Sequence, residues 1–366
     1  MNTTQRVRRA GLATVAALVI GGSGVAIGAA AADSSASGTL AAATATQSPA
    51  GPATSQGVKG PGPASYASVV RQVLPSVVLI RTENGLGSGV VLDRSGNIVT
   101  NAHVAGNATE FQVQVAGDTA PRSARLVGTY PPDDLAVIRA DDPSGLQPAR
   151  FGDSGTVQAG DVVLAIGNPL GLSGSVTQGI ISATDRAVTE PATDGSPAAT
   201  LPGAIQTSAP INPGNSGGAL VSASGQVIGI PTLAAGSPQG GGQAQGIGFA
   251  IPSNLARDIA TQIIETGHVT NSHRAAIGAE VATVLGPDGT AGGVGVVAVT
   301  NGGGAERAGL RAGDVITAVG GAQTTDTTAL SQALAAVEPG DKVTVTISRD
   351  GQDRSVQVTL GELPGS

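Results

Sequence analysis

The sequence of 366 residues contains no cysteine, and aromatic residues make up only 1 % of it. The lack of cysteine excludes thiol catalysis, disulfide bonds and cysteine-ligated zinc. The scarcity of aromatic side chains means that the core must be built from Val, Ile, Leu and Ala, and a chain of this length can bury enough of them. The net charge of −7 argues against a nucleic-acid partner, because such proteins present a basic surface. The length predicts about two domains.

The pattern of the N-terminal segment predicts an export signal. Arg6, Arg8 and Arg9 precede an apolar run over residues 11–32 whose last residues are Ala30, Ala31 and Ala32. Positive charge, an apolar stretch and small residues are typical of a signal peptide, and the run is also long enough to anchor in a membrane if it is not cleaved. Either interpretation of residues 1–32 places the rest of the chain outside the cytoplasm, and membrane contact is expected only here.

Residues 33–64 are almost entirely Ala, Ser, Thr, Gly and Pro, so they predict a disordered linker. Residues 65–267 then show many short β-rich runs separated by turn residues, which is typical of an all-β sandwich or barrel. Apolar residues at helical spacing predict a helix over 252–265, and a second short helix is predicted over 66–73. The predicted strands are 77–81, 89–92, 97–100, 111–115, 135–139, 162–166, 176–181, 219–221, 227–230 and 246–250.

The chemistry centres on the sequence PINPGNSGGAL at positions 210–220, in which Ser216 stands among glycines. A serine becomes a nucleophile when a base removes its proton and hydrogen-bond donors await the oxyanion. The turn residues Gly214, Asn215 and Ser216 form the candidate oxyanion hole, with the amides of Gly214 and Ser216 expected to point at one spot. A plain glycine-rich turn is the alternative. The motif also fits the α/β-hydrolase elbow, but strands rather than a helix follow Ser216.

The base and its partner precede the serine. His103 is the only histidine of residues 65–267 and stands at the predicted end of strand 97–100, so any Ser–His catalysis there must use it. Asp134 stands before an apolar strand, where an acid can orient an imidazole, and Asp133 beside it is a competing candidate. A solvated turn is the alternative for both acids. The order His103, Asp134, Ser216 is that of chymotrypsin and differs from subtilisin and the α/β-hydrolases.

Taken together, these motifs resemble the HtrA-type (DegP-like) serine proteases, which join a trypsin-fold domain to a PDZ domain. The resemblance covers residues 65 to about 363. The segments that carry it are GSG at 87–89, TNAHV at 100–104, DLAV at 134–137, AIGNP at 165–169, NPGNSGGAL at 212–220 and GIGFAIP at 246–252.

The resemblance implies a mainly β fold, a double six-stranded barrel with the site in its cleft, followed by a small α/β PDZ domain. It assigns His103 as general base, Asp134 as its orienting acid and Ser216 as the nucleophile that forms an acyl-enzyme. Uncharged Pro210 and Ile211 stand at the specificity pocket and favour a small or medium apolar side chain. Ser208 replaces an acid and Pro210 an alanine that are usual in the family. A short loop at 82–86 argues against a large cage and is compatible with a homotrimer, and residues 236–242 are expected to flank the cleft.

Residues 272–363 resemble a PDZ domain through AERAGLRAGDVI at 305–316. By that resemblance Ile277, Gly278 and Ala279 hold the C-terminus of a bound peptide, which adds as a strand. A strand pair is predicted over 292–299, a helix lining the groove over 328–337, and strands over 343–347 and 355–360. His268 and His273 are too isolated for a metal site, and no cofactor is implied.

The sequence therefore predicts an exported serine endopeptidase of the HtrA type that cleaves misfolded or unstructured envelope proteins, with a PDZ domain that binds peptide C-termini. The alternative is a catalytically latent chaperone or peptide-binding protein on the same fold.

Overall fold

The computed structural model describes residues 66–83, 85–168, 174–190, 199–212, 214–236, 243–286 and 289–364. The predicted signal or anchor segment and the predicted linker lie outside these residues, and so does most of the loop predicted to flank the cleft. None of the helices within the described ranges is long and apolar enough to cross a membrane.

Six antiparallel strands close a first β-barrel in the order β1-β2-β3-β6-β5-β4. Short apolar runs form these strands because β-branched residues suit a pleated, half-buried surface. Val78, Ile98 and Ile138 are fully buried inside this barrel. The strands are β1 (Val77–Arg81), β2 (Leu86–Val91), β3 (Asn97–Thr100), β4 (Glu110–Val115), β5 (Arg122–Tyr130) and β6 (Leu135–Ala140).

Six further strands close a second barrel in the order β10-β11-β12-β9-β8-β7. Ile181, Ile205 and Leu220 are buried in its core. The fold class predicted from the sequence, a double β-barrel, is therefore confirmed. The strands are β7 (Val162–Gly167), β8 (Ser175–Glu190), β9 (Ala199–Thr207), β10 (Ala219–Ser222), β11 (Val227–Gly236) and β12 (Gln243–Pro252).

Within the described part of the chain, three α-helices accompany the barrels: α1 (Tyr66–Val73), the one-turn α2 (Ala102–Ala105) and α3 (Ser253–Thr266). Helix α3 packs on β5, β6 and β11 through a face that includes Ile259 and Ile263, both fully buried. It ends where Gly267 adopts a left-handed conformation and its amide closes on the Ile263 carbonyl. Gly128 on β5 permits this approach, since a Cβ there would lie 2.9 Å from both Ile263 and the Gly267 carbonyl oxygen.

The C-terminal part is a small α/β domain. A sheet in the order β14-β15-β16-β18-β19, with β17 beside β16, is joined by a two-stranded β13–β20 pair. The predicted strand pair over 292–299 is wrong: its glycines do not reverse the chain, and one strand pairs with β14 and β16. The helix predicted over 328–337 ends earlier. The elements are β13 (Ala275–Ala276), β14 (Ala279–Leu285), β15 (Ala291–Val299), α4 (Gly304–Arg307), β16 (Val315–Val319), β17 (Ala322–Gln323), α5 (Thr327–Leu334), β18 (Lys342–Arg349), β19 (Gln352–Thr359) and β20 (Gly361–Glu362).

Candidate active site

The first barrel brings His103 and Asp134 together. His103 lies on the one-turn helix α2 just after β3, rather than at the end of the strand itself. Asp134 follows a 3₁₀ turn, Pro131–Asp133, and leads into β6. Strands β3 and β6 are paired, with Thr100 opposite Ala136, so the segments that flank them lie side by side.

The two side chains form a close, partly buried pair. Nδ1 of His103 lies 3.0 Å from Oδ1 and 2.9 Å from Oδ2 of Asp134, and the His103 amide donates to Oδ1 at 2.9 Å. The carboxylate is buried, while the imidazole side chain keeps 22 % of its surface exposed. An ionised carboxylate only accepts hydrogen bonds, so the nitrogen that faces it carries the proton. That tautomer leaves Nε2 as the acceptor.

Asp134 itself has an unusual backbone conformation, with φ 51° and ψ 43°. A left-handed non-glycine residue is uncommon, although aspartate is among those that tolerate it. Its carbonyl accepts hydrogen bonds from the Ala102 amide at 3.0 Å and from Nδ2 of Asn101 at 3.1 Å. The segment that carries His103 therefore holds Asp134 in this unfavourable backbone conformation, which persists only where several surrounding contacts stabilise it.

Ser216 lies in the turn before β10, and its hydroxyl donates to the Thr232 carbonyl at 2.9 Å. The Thr232 hydroxyl donates in turn to Oδ2 of Asp134 at 2.6 Å. Thr232 therefore links the serine to the acid. Sequence reasoning missed Thr232, because a threonine inside strand β11 has no local signal for such a role.

The turn around Ser216 requires glycine at position 217. Gly217 has φ 76°, and a Cβ there would overlap the Ser88 carbonyl and the Thr100 hydroxyl. Gly214 also has a positive φ, of 101°. The Asn215 amide donates to the Asn212 carbonyl at 2.9 Å, so it is engaged within the turn. This engagement counts against the Asn215 amide as an oxyanion donor, so the amides of Gly214 and Ser216 remain the candidates.

Ser88 on β2 joins the first barrel to this turn. It is fully buried, its amide donates to the Ser216 carbonyl at 2.9 Å, and its hydroxyl donates to the Gly214 carbonyl at 2.5 Å. The same hydroxyl accepts from the Asn168 amide at 2.8 Å. Three separate segments therefore meet at Ser88. The motif GSG at 87–89 was noted in the sequence, but it gave no reason to assign Ser88 a role.

The two residues predicted for the specificity pocket have different environments. Ile211 is only 4 % exposed and belongs to the core of the second barrel, where it contacts Gly248 of β12. Pro210 is exposed, and its carbonyl accepts from the Thr177 hydroxyl at 2.7 Å. The segment before the turn at Ser216 is thus uncharged and anchored to both β8 and β12.

Asp133, the competing acid, is fully buried. Its Oδ1 lies 2.9 Å from Nη1 of Arg274, which comes from the C-terminal part of the chain. Burial raises the pKa of Asp133 from 3.8 to about 6, although the nearby guanidinium acts in the opposite direction. The alternative of a solvated turn is therefore wrong for Asp133.

The C-terminal domain contains a groove of about 390 Å³ lined by Ile277, Gly278 and Ala279 together with helix α5. Gly278 has φ 77°, and a Cβ would lie within 3.2 Å of the backbone at Gly303 and Gly304, so only glycine fits. The groove runs between β14 and α5, which is the arrangement that accepts a peptide as an added strand.

Comparisons with known proteins agree with this architecture. The profile of the family described as "Trypsin-like peptidase domain" matches residues 87–230, and that of "PDZ domain" matches residues 269–360. Serine protease PepD of Mycobacterium tuberculosis is 39 % identical over 82 % of this chain and 67 % of its own length. Serine endoprotease DegS of Salmonella typhimurium is 36 % identical over 83 % of this chain and 88 % of its own length.

Periplasmic serine endoprotease DegP of Escherichia coli is 39 % identical over 75 % of this chain, which spans only 56 % of that relative's length. Among solved structures, the HtrA-type protease AlgW with a decapeptide is 34 % identical, with a TM-score of 0.54, over 82 % of this chain and 99 % of its own.

Fold and site together define a trypsin-like serine peptidase domain followed by a PDZ domain. The chain belongs to the HtrA family of serine endoproteases. The family resemblance deduced from the sequence motifs is thereby confirmed. Relatives DegP and DegQ are named as periplasmic, which supports an exported protein.

Proposed function

We propose that His103, Asp134 and Ser216 form the catalytic triad of an exported endopeptidase that hydrolyses misfolded or unstructured proteins of the cell envelope. The observation that carries this proposal is the position of the His103 ring, with Nδ1 between the two oxygens of Asp134 at 3.0 and 2.9 Å. The hydrogen bonds through Thr232 that join Asp134 to Ser216 support it further.

In the proposed reaction, the Ser216 hydroxyl leaves the Thr232 carbonyl and turns to Nε2 of His103. Its oxygen attacks the scissile carbonyl carbon while Nε2 takes the proton, and Asp134 stabilises the imidazolium that forms. The amides of Gly214 and Ser216 stabilise the negative oxygen of the tetrahedral intermediate. The imidazolium then protonates the leaving amine, which gives an ester on Ser216, and water hydrolyses that ester by the same route.

The uncharged segment before the nucleophile supports a preference for a small or medium apolar side chain at the cleavage site. Burial of Ile211 against Gly248 supports an apolar wall, and exposed Pro210 lies at its rim. A Lys or Arg side chain would find no complementary charge on these two residues, so its ammonium or guanidinium would be desolvated without a partner.

The groove at Ile277, Gly278 and Ala279 is proposed to bind the C-termini of peptides. Strand β14 supplies an edge next to α5, and the turn at Gly278 lies at the head of the groove. Backbone amides at such a turn hold a terminal carboxylate in peptide-binding domains of this kind. The relative AlgW was solved with a decapeptide and with a tripeptide.

Assembly and location complete the proposal. Residues 1–32 are proposed as signal peptide or anchor, and residues 33–64 as the linker that holds the protease domain away from the membrane. A homotrimer through the barrels is proposed, with the exposed apolar side chains of Tyr66, Val176 and Ile180 as its contact region. Light scattering of the purified chain measures this directly, since a monomer has a mass of 35.3 kDa.

Hydrolysis of an unfolded protein tests the function. The full chain should cleave casein, whereas Ser216→Ala and His103→Ala variants of equal thermal stability should lose about 10³-fold or more of the rate, because the three groups act as a unit. Ser224→Ala, which removes an exposed serine hydroxyl of a β-turn, is the matched control and should keep the full rate. A folded chain without hydrolysis, or a Ser216→Ala variant that cleaves as fast as wild type, would overturn the proposal.

A further inference from the structure

A buried ion pair connects the active-site turn with the segment that leads into the peptide groove. Nη1 of Arg274 lies 2.9 Å from Oδ1 of Asp133 and also donates to the Pro132 carbonyl. The Asp133 side chain is fully buried, and the Arg274 side chain is only 11 % exposed. The two residues are 141 positions apart in the sequence.

On one side, this pair holds the turn that immediately precedes the acid of the proposed triad. The Asp134 amide donates to the Pro131 carbonyl at 3.0 Å and closes the 3₁₀ turn. One guanidinium therefore binds both the carbonyl of Pro132 and the carboxylate of Asp133, so it fixes two successive residues just before Asp134. A planar guanidinium suits this task because its donors have a fixed geometry.

On the other side, Arg274 is fixed within the C-terminal domain. Its carbonyl accepts from the Leu363 amide at 2.7 Å, and the next residue, Ala275, begins β13 and pairs with Glu362. Arg274 also lines the groove that contains Ile277 and Gly278. The side chain thus extends from the edge of the peptide groove to the turn of the acid.

The pair is not arranged for maximum stability. The second carboxylate oxygen of Asp133 is buried and has no hydrogen-bond partner among the described residues. Removing one partner of a buried pair is costly, but the pair as a whole is weak evidence for stability, because desolvation opposes the attraction. The buried charges of Asp133 and Arg274 are therefore better explained by a role in positioning neighbouring residues than by a contribution to stability.

We propose that Asp133 and Arg274 are positioning residues for the peptidase reaction: their ion pair holds Asp134 in the left-handed conformation that meets His103, and so ties the active site to the strand before the peptide groove. This inference rests on the proposed triad.

The charged and titratable groups around Asp133 define how pH acts on the pair. Arg274 faces it directly, His273 adds a weaker charge, and Tyr130 lies beside it on β5 with Glu362 nearby. Burial raises the pKa of Tyr130 to about 12, so it stays neutral. Asp133 takes up a proton as the pH falls through about 6, and its attraction to the Arg274 guanidinium then weakens because the carboxyl group is neutral.

Four variants of the full chain test the proposal with casein as substrate. Arg274→Met and Asp133→Asn should each lower kcat by about tenfold, with KM within about twofold, because the loss of a buried charge partner misplaces the acid. Arg274→Lys keeps the charge and should recover part of the rate. Arg125→Met is the matched control, since Arg125 forms an exposed pair with Asp141 at 2.7 Å, and it should stay within about twofold of wild type.

The pH profile separates positioning from a general structural role. The ratio of wild-type to Asp133→Asn rates should be about ten near pH 8 and fall to about two near pH 5, where wild-type Asp133 is itself mostly neutral. A ratio that is constant over this range, or wild-type kcat in folded Arg274→Met, would overturn the proposal.

An NMR measurement that needs no substrate hydrolysis separates the test of the ion pair from the test of the proposed triad. The Nδ1 proton of His103, bonded to Asp134, is followed by NMR in wild type and in the same variants. We expect this resonance to shift or vanish in Arg274→Met and Asp133→Asn but to persist in Arg125→Met. An unchanged resonance in these variants would contradict the positioning role. Failure of the wild-type chain to hydrolyse casein would contradict the proposed function, and the two results can be told apart because the resonance is observed without substrate.

Discussion

Ser88 is buried on β2 and contacts the turn around Ser216 at two carbonyls, those of Gly214 and Ser216. Thr100 donates to the Ser88 carbonyl at 2.7 Å, so Ser88 is itself held from the neighbouring strand. At the scale of single residues, the geometry of the site therefore depends on side chains that take no part in bond making. In the proposed reaction these side chains hold the reacting groups in position, and small displacements of such groups lower the rate strongly.

Replacing Ser88 with alanine should lower kcat by about tenfold or more. The change leaves the Gly214 carbonyl and the Asn168 amide buried without a hydrogen-bond partner, which lowers the stability by about 1–3 kcal/mol. The turn around Ser216 is then expected to move, because such a movement lets these groups find other partners. Casein hydrolysis and thermal unfolding are measured together.

Ser253→Ala serves as the control for this change, because the fully buried Ser253 hydroxyl donates to the Gly152 carbonyl at 2.9 Å. It should lose similar stability with little loss of kcat. Equal kcat in the two variants would show that Ser88 has no special influence on the site.

The three residues proposed for the triad, His103, Asp134 and Ser216, were named from the sequence because each stands in a short motif with its own local signal, and their assignment stays a proposal. Arg274 could not be predicted, since nothing near it in the sequence points to a partner 141 residues away. The burial of Asp133 could not be predicted for the same reason: Pro-Pro-Asp-Asp is typical of an exposed turn, and only the tertiary contact buries it.

At the scale of helices and strands, the sequence predicted those elements whose residues show a strong periodic pattern of apolar side chains. Helix α3 was predicted within one residue of its bounds, because its apolar residues repeat at helical spacing and Gly267 ends it. Strands β5 and β9 were missed. Exposed Arg125 and Gly128 obscure the first, and Pro202-Gly203 resembles a turn inside the second, so pairing within the barrels overrides local preference.

Helix α3 is expected to be a major support of the first barrel. Ile263→Ala should lower the free energy of unfolding by about 2–5 kcal/mol, because it opens a cavity where α3 meets Gly128. Urea unfolding of the full chain provides the measurement. The neighbouring Ile264 is only partly buried, so Ile264→Ala should lose clearly less. Equal losses at the two positions would mean that α3 does not pack as described.

At the scale of the whole molecule, the buried carboxyl of Asp133 should make the free energy of unfolding depend on pH. The raised pKa means that the folded chain holds a proton that the unfolded chain releases, so this carboxyl favours folding less as the pH rises from about 4 to about 6. Asp314 acts in the opposite sense. Its bonds to Arg349 lower its pKa, and the stability that it contributes is lost as the pH falls.

The difference in free energy of unfolding between Asp133→Asn and wild type should therefore change with pH. It should move in favour of the variant by roughly 3 kcal/mol between about pH 4 and about pH 6.5, and stay level above that, because the pKa of Asp133 differs by about 2 between the unfolded and the folded chain. Denaturant titrations at a series of pH values measure it. A difference that does not depend on pH would contradict a buried, titrating Asp133.

Covalent labelling of the full chain with a serine-directed fluorophosphonate, followed by peptide mass spectrometry, tests the central claim most directly. The proposed triad predicts a single adduct on Ser216, absent from Ser216→Ala and formed far more slowly in His103→Ala, since the imidazole must take the hydroxyl proton. An adduct on another serine, or labelling of Ser216 at the wild-type rate in His103→Ala, would contradict the proposed mechanism.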